Sequence, residues 1–273
     1  MSTIRRIAIV ANRTKPGVPA LIAELERVAK GAGVETLLPD SYPLRAGALK
    51  GCDACAVLGG DGTLLGVVSQ AVEWQVPVFG INRGKLGFLA HYASEDAGES
   101  LLAVLRGDCQ IDRRILLECR TRGGCRALAL NDVVVKTRNH SRMMRLQVAS
   151  GGEFVSSYRC DGLIVTTPTG STAYNLSAGG PLIDPGADVF AITPICPHTL
   201  SDRSLILPRG RSITVAADEE SEGFADITVD GVQFGPECTQ FPLEIRLSEQ
   251  TMPIIQPKGF SHFKLLRDKL RWA

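Results

Sequence analysis

The chain has 273 residues, 44% of them hydrophobic and 22% charged, and carries a net charge of +1 at pH 7. This is the balance of a globular protein long enough for one large core or two ordinary ones. Such a charge leaves no basic footprint for nucleic acid or a membrane surface, and no apolar run approaches the ~20 residues that span a bilayer.

Taken in chain order, Met1 to Val10 holds two arginines and then enters a short apolar stretch. It has no long apolar core and no small-residue cleavage site, so no signal peptide is expected. Arg6 to Ala11, rich in Ile and Val, reads as a first strand. The loop Asn12 to Gly17, with Lys15-Pro16-Gly17, leads into a helix from Val18 to Lys30. Its Leu21, Ile22, Leu25, Val28 and Ala29 share one face, and Gly31 and Gly33 end it. Val34 to Leu38, Cys55 to Leu58 and Val76 to Ile81 read as further strands. Strands and helices alternating at this spacing predict an open, mainly parallel α/β sheet. The first strand is not followed by Gly-x-Gly-x-x-Gly, and no Walker Gly-Lys-Ser/Thr occurs, which excludes an ordinary dehydrogenase or P-loop kinase.

Between the third strand and a predicted helix at Leu64 to Val72 lies Gly59-Gly60-Asp61-Gly62-Thr63. Glycine tolerates positive φ and lets a ligand approach the backbone. Helix-start amides favour an anion, so Gly59, Gly60, Gly62 and Thr63 form a candidate phosphate loop. A carboxylate inside an anion cradle repels phosphate unless it has a task. Asp61 is therefore a candidate to bind a metal ion or to take a proton from an attacking hydroxyl. The plainer alternative is a tight turn in which Asp61 caps the helix.

After Asn82 to Leu89 the texture changes. One helix at about Ala97 to Leu105 is followed by short strands, among them Arg114 to Cys119, Leu128 to Lys136, Arg145 to Ala149, Leu163 to Thr166 and Leu243 to Leu247. Serial short strands predict a second, all-β domain of sandwiched or layered sheets. At the end, Phe260 to Trp272 reads as a helix with Phe263, Leu266 and Leu270 on one stripe, expected to return to the first domain. The expected domains are thus 1–92, completed by 258–273, and 93–257. Eight cysteines are scattered through the chain and are read as reduced thiols, mostly buried. Cys52 and Cys55 have metal or redox spacing but no matching second pair.

One stretch breaks the β pattern. From Cys160-Asp161 a strand leads to the hydroxyl-rich Pro168-Thr169-Gly170-Ser171-Thr172 turn and a short helix beginning near Thr172. Tyr174 offers a ring for stacking and Asn175 an amide able to read a base or carboxamide. This set suits a polar, partly aromatic ligand such as a nucleotide, or else is a capped helix in a loop-rich domain.

Together these segments resemble the NAD kinase family. Gly59 to Thr63 and Asn82 to Leu89 look like its first two motifs. Asn131-Asp132, Asp161-Gly162, Thr167 to Asn175 and Cys196-Pro197-His198-Thr199-Leu200-Ser201 look like the others, in family order. The glycine loop alone is also similar to loops of diacylglycerol kinases, sphingosine kinases and phosphofructokinases. The resemblance implies transfer of the γ-phosphoryl group of ATP to the 2′-hydroxyl of the adenosine ribose of NAD. It implies a cytoplasmic homo-oligomer, a dimer or tetramer, with the site between an α/β and a β domain. By the family's pattern Asp61 is the base, with Gly62 beside it. Asn131 and Asp132 hold ribose hydroxyls and a neighbouring phosphate or metal region. Arg142 and Arg159 fall at substrate-contacting positions, and Asp161, Thr169, Thr172, Ala173, Tyr174, Asn175, Leu176 and Ser177 line the base and nicotinamide pockets. Gln233 stands one residue beyond a further contact position. The chain departs from the pattern at Ser204, where proline is commoner. No protein-only metal site is implied; a divalent cation, Mg2+, is expected with ATP. Without a Walker lysine, Arg83 and Lys85 are candidates to help neutralise the triphosphate, or else solvated surface charges. A lipid kinase, a sugar kinase and a non-catalytic NAD-binding sensor are the rival readings.

Overall fold

The structure is a computed structural model that describes residues 3–13, 16–84, 87–139, 142–235 and 238–272. Thr14, Lys15, Lys85 and Leu86, which fall in loops or motifs noted above, lie outside the described residues. The chain divides into two compact units, Met1–Arg113 with Met252–Ala273, and Arg114–Thr251.

The first unit opens with β1 (Arg6–Ala11), α1 (Val18–Gly31), β2 (Glu35–Leu37) and β3 (Ala54–Leu58). Helices α2 (Asp61–Leu65) and α3 (Val68–Glu73) follow, then β4 (Val78–Asn82), the short β5 (Tyr92–Ala93) and α4 (Ala97–Leu105). β2, β1, β3, β4 and β5 pair side by side, all parallel. Parallel strands are covered on both faces and so read as continuous apolar runs; every residue of β3 is buried. The α1 face formed by Leu21, Ile22, Leu25 and Ala29 packs in the same core as Leu101 and Val104 of α4. The expected helix from Leu64 to Val72 is broken in two at Gly66-Val67. Glycine weakens a helix there, and the Tyr42 ring fills the space where a Gly66 Cβ would lie, 2.4 Å from the hydroxyl.

β6 (Cys109–Thr121) enters the second unit and turns into β7 (Arg126–Ala129). Then come β8 (Asp132–Thr137), β9 (Met144–Ser150), β10 (Glu153–Cys160) and β11 (Gly162–Thr166). After a 3-10 turn at Gly170–Thr172 come α5 (Tyr174–Ser177), β12 (Val189–Ile195), β13 (Leu205–Pro208) and β14 (Ser212–Ala217). Last are α6 (Glu219–Glu222), β15 (Ala225–Val229), β16 (Val232–Gln233) and β17 (Leu243–Pro257). In this unit β10, β9, β14 and the start of β17 form one antiparallel layer. β13, β12, β11, β8, β15 and β16 form the other. Leu146, Val148 and Ile213 from the first layer share a core with Val133, Leu163 and Ile192 from the second, so the β-rich part is a sandwich.

Two readings of strand length change. The single strand expected from Leu128 to Lys136 is two strands, β7 and β8, because the Leu130, Asn131 and Asp132 amides turn to a side-chain carboxylate. β17 runs well past Leu247, and its Ile254 pairs parallel with Val78. Helix α7 (His262–Leu270), capped by the Ser261 hydroxyl on the Lys264 amide, belongs to the first unit as expected. Its buried residues, however, are Leu265 and Leu266, while Phe263 is 63% exposed. A nine-residue helix docks by whichever narrow stripe meets the neighbouring surface, and periodicity alone misplaced it by a fraction of a turn.

The reduced-thiol reading needs correction at one pair: Cys125 and Cys238, 113 residues apart, form a disulfide within the second unit. Spacing carries no signal for a bridge between a hairpin turn and a segment so distant. Cys52, Cys55, Cys119 and Cys160 are free and buried, Cys109 is half-buried and Cys196 exposed. Burial pushes the Cys55 thiol well above the ordinary range and the Cys119 thiol to about 12, so neither offers a reactive thiolate. Cys52→Ser with Cys55→Ser is expected to leave turnover unchanged and zinc undetectable by metal analysis; loss of activity with normal folding would sink this reading.

Candidate active site

The glycine loop leaves the carboxyl end of β3, the end of a parallel sheet where ligands bind. None of Gly59, Gly60 and Gly62 has a positive φ. Their smallness serves other ends. A Cβ at Gly59 would stand 2.3 Å from Thr63 Oγ1, whereas Gly60 and Gly62 have nothing within 4 Å and leave their backbone open. The Thr63 and Leu64 amides turn onto the Gly60 carbonyl at 2.9 and 3.3 Å, and the Tyr42 hydroxyl donates to the Gly62 and Thr63 carbonyls.

Asp61 opens α2 but does not cap it: Gly60 is the cap residue, with no side-chain cap bond. The Asp61 carboxylate instead turns to the loop after β4, the strand beside β3. Phe88 N–H donates to Oδ2 at 2.8 Å, and Leu89 and Ala90 N–H donate to Oδ1 at 3.0 and 3.1 Å. The turn closes with Gly87 N–H on the Ala90 carbonyl at 3.2 Å. Only glycine permits this wrap, because a Cβ at position 87 would meet Oδ1 at 2.0 Å. A carboxylate offers about four acceptor positions. Three amides occupy three of them and leave one, on Oδ2, for a proton or a hydroxyl.

In the second unit the break between β7 and β8 is organised by Asp230, in the Asp-Gly turn between β15 and β16. Its carboxylate accepts the Leu130, Asn131 and Asp132 amides at 2.7, 2.7 and 3.1 Å. Asp230 has φ 50, a left-handed conformation that Asp adopts more readily than most residues. Burial pushes its carboxyl up to about 6 against the three amides that pull it down. Asp132 is itself buried, and burial together with the Asp230 charge raises it to about 7. The hydroxyl-rich turn locks onto the same strand break. Thr167 N–H and Thr166 Oγ1 donate to the Asn131 carbonyl, and Thr167 Oγ1 donates to that of Leu130. Gly170 passes so close that a Cβ would stand 2.2 Å from the Asn131 oxygen.

Both halves of the chain match one family. The ATP-NAD kinase N-terminal domain matches residues 41–109 and the ATP-NAD kinase C-terminal domain matches residues 130–256. An NAD kinase of Methylococcus capsulatus is 36% identical over 286 residues, covering 100% of this chain and 99% of that protein. The chain belongs to the NAD kinase family. An NAD kinase of Polaromonas naphthalenivorans is also 36% identical, over 99% of this chain and 98% of its own. Among solved structures, an NAD kinase from Archaeoglobus fulgidus in complex with ATP has a TM-score of 0.79 at 30% identity, covering 97% of this chain and 98% of that one. Yeast NADH kinase complexed with NADH shares the fold, with a TM-score of 0.87 at 22% identity over 100% of this chain and 89% of its own.

Some of the remaining residues noted in the sequence line two recesses of the second unit. Arg142 and Arg159 line one of about 570 Å³ with Arg145, Asp218 and Glu220; Arg142 is ion-paired with Glu220. Asp161 and Tyr174 line another of about 510 Å³ with Lys136, Arg138, Cys196 and Asp226. Ser177 is exposed, and Thr172, Ala173 and Leu176 are half-buried. Asn175 differs from the expectation of a side chain presented to a ligand. It is fully buried, its Nδ2 donating to the Pro181 and Ser171 carbonyls and its Oδ1 accepting from Thr193. Thr169 is buried too, accepting from Arg114 Nη1 at 3.3 Å. Gln233 donates to Asp226 Oδ1, and the exposed Arg83 lies against Gly17. Sequence reasoning passed over Asp230, whose Asp-Gly dipeptide between two apolar runs was a legible hairpin turn but carried no sign of its partners.

The Asp132 environment gives a pH prediction. A carboxyl raised from its usual value of 3.8 to about 7 binds, when folded, a proton that the unfolded chain has already lost. Stability therefore falls as pH rises from about 4 to about 7. Asp132→Asn lacks this titration, so its melting temperature should change less between pH 5 and pH 8 than that of the wild type. Parallel slopes would show that Asp132 titrates normally.

Proposed function

We propose that Asp61 is the general base of an NAD kinase, taking the proton of the adenosine ribose 2′-hydroxyl of NAD as the γ-phosphoryl group of ATP is transferred to that oxygen, yielding NADP and ADP. The phosphotransferase activity accords with the family match over the whole chain. The observation that supports Asp61 is its single remaining acceptor position at the carboxyl end of β3, next to the open Gly60 and Gly62 backbone. A ribose hydroxyl is a poor nucleophile, and phosphoryl transfer needs alignment, charge neutralisation and a destination for the proton.

Gly59, Gly60, Gly62 and Thr63 form the phosphate loop in this reading. Asn131 and Asp132, held by Asp230, meet ribose hydroxyls. Arg142 and Arg159 face the phosphates of NAD, and Asp161, Thr172, Ala173, Tyr174, Leu176 and Ser177 line its base and nicotinamide pockets. Asn175 and Thr169 act from beneath, by fixing the turn. Among the described residues no three His, Cys, Asp or Glu side chains converge on a metal position. The divalent cation expected with ATP is assigned to the ATP phosphates, where it would neutralise charge on the transferred group. The chain is assigned to the cytoplasm as a homo-oligomer because it belongs to the NAD kinase family. Purified protein with NAD, ATP and magnesium, with NADP read by a coupled dehydrogenase, tests the activity. Absence of NADP formation with folded protein would leave the sensor reading.

A further inference from the structure

The carboxylate of Asp61 is aimed by backbone amides, and one of those amides is itself held. His91, only 7% exposed, places Nε2 at 3.0 Å from the Phe88 carbonyl oxygen. A carbonyl can only accept, so Nε2 carries the proton. The Phe88 carbonyl and the Leu89 N–H are the two ends of one planar peptide, and the Leu89 N–H donates to Asp61 Oδ1 at 3.0 Å. A donor at one end and a carboxylate at the other polarise that peptide in the same sense and fix its plane. The imidazole is in turn braced by the Phe260 ring, 4.1 Å between centroids, immediately before the Ser261 cap of α7.

We propose that His91 is a positioning residue for the phosphoryl transfer: through the Phe88–Leu89 peptide it sets the direction of the remaining acceptor position of Asp61. The proposal rests on Asp61 being the base. Loss of the donor frees the peptide plane to tip, so the carboxylate turns and its open lone pair leaves the line to the hydroxyl. Misplacement by about 1 Å costs up to about 10²-fold in rate. Substrate affinity, which does not depend on that alignment, stays.

The test compares His91→Phe, which keeps a ring beside Phe260 without a donor, with His91→Gln, which keeps a donor. Both are made in the full chain, alone and with Asp61→Asn. His91→Phe should lower kcat by about tenfold or more, with KM for NAD and ATP within about twofold. His91→Gln should recover most of the loss. In the Asp61→Asn background His91→Phe should cost nothing further, because its effect runs through that carboxylate. His91→Met serves as the donor-free variant if the phenylalanine does not fold. Wild-type kcat in the donor-free variant beside a crippled Asp61→Asn overturns the proposal and leaves the base intact. An equal loss in both backgrounds also overturns it, since His91 then acts elsewhere. If Asp61→Asn itself turns over normally, the base reading fails and this proposal with it.

Discussion

Asp61→Asn is expected to lower turnover by about 10²–10⁴-fold, the usual contribution of a general base. The replacement keeps the shape and loses the proton affinity. It also disturbs the cradle unequally. An asparagine carbonyl can still accept the Leu89 and Ala90 amides, but its NH2 group then faces the Phe88 N–H, so one of three bonds is lost. Asp61→Ala loses all three. Steady-state kinetics on both variants, with calorimetric NAD affinity, separates chemistry from scaffold. A base used chiefly in the transition state shows as a fall in kcat with little change in binding, and to similar depth in both variants. If the asparagine stays within a few-fold of wild type while the alanine collapses, Asp61 is a clamp on the Gly87–Ala90 turn. The base would then be sought at Asp132 or Asp161.

The largest expected loss of stability comes from Asp230→Ala. It strips the acceptor from three backbone amides, and each buried donor left unpaired costs about 1–3 kcal/mol. Alanine also fits the φ of 50 less well than aspartate. Relief of the repulsion with Asp132 offsets part of this, because one buried charge disappears and the Asp132 carboxyl falls back toward its usual range. The net loss of several kcal/mol is a large share of the roughly 5–15 kcal/mol that holds a typical protein folded. Asp230→Asn, which retains one acceptor oxygen and tolerates the left-handed backbone, should lie between. Thermal melts order the three proteins. KM for NAD should rise in the same order, because Asn131 and Asp132 ride on the strand break that Asp230 holds. Equal melting temperatures for wild type and alanine would mean that water satisfies those amides.

Much of the fold was legible because its signals are local. Parallel strands buried on both faces appear as unbroken runs such as Ala54-Cys55-Ala56-Val57-Leu58. Antiparallel strands of the sandwich appear as short segments between turn residues, and the Gly59–Thr63 loop announces itself by composition. The family motifs were legible for the same reason, each being a few adjacent residues in a fixed order. Two helices joined the first unit with different degrees of warning. The return of α7 followed from its amphipathic face, whereas α4 lies past β5 in sequence and joins the core beside α1 through packing alone.

What the sequence left open depends on residues that meet only in three dimensions. Whether Asp61 caps its helix or faces a ligand could not be read from its neighbours. Its partners are amides of residues 88–90, brought close because β3 and β4 run side by side. The same holds for Asp230 under the Leu130–Asp132 amides, and for Asn175, which looks presented to a ligand but is consumed by Pro181, Ser171 and Thr193. It holds as well for Cys125 and Cys238. A sequence specifies which donors and acceptors exist, and local pattern specifies the elements that carry them. Burial compels each polar group to find a partner, but which partner it finds is decided by chain topology, across separations to which no local period extends.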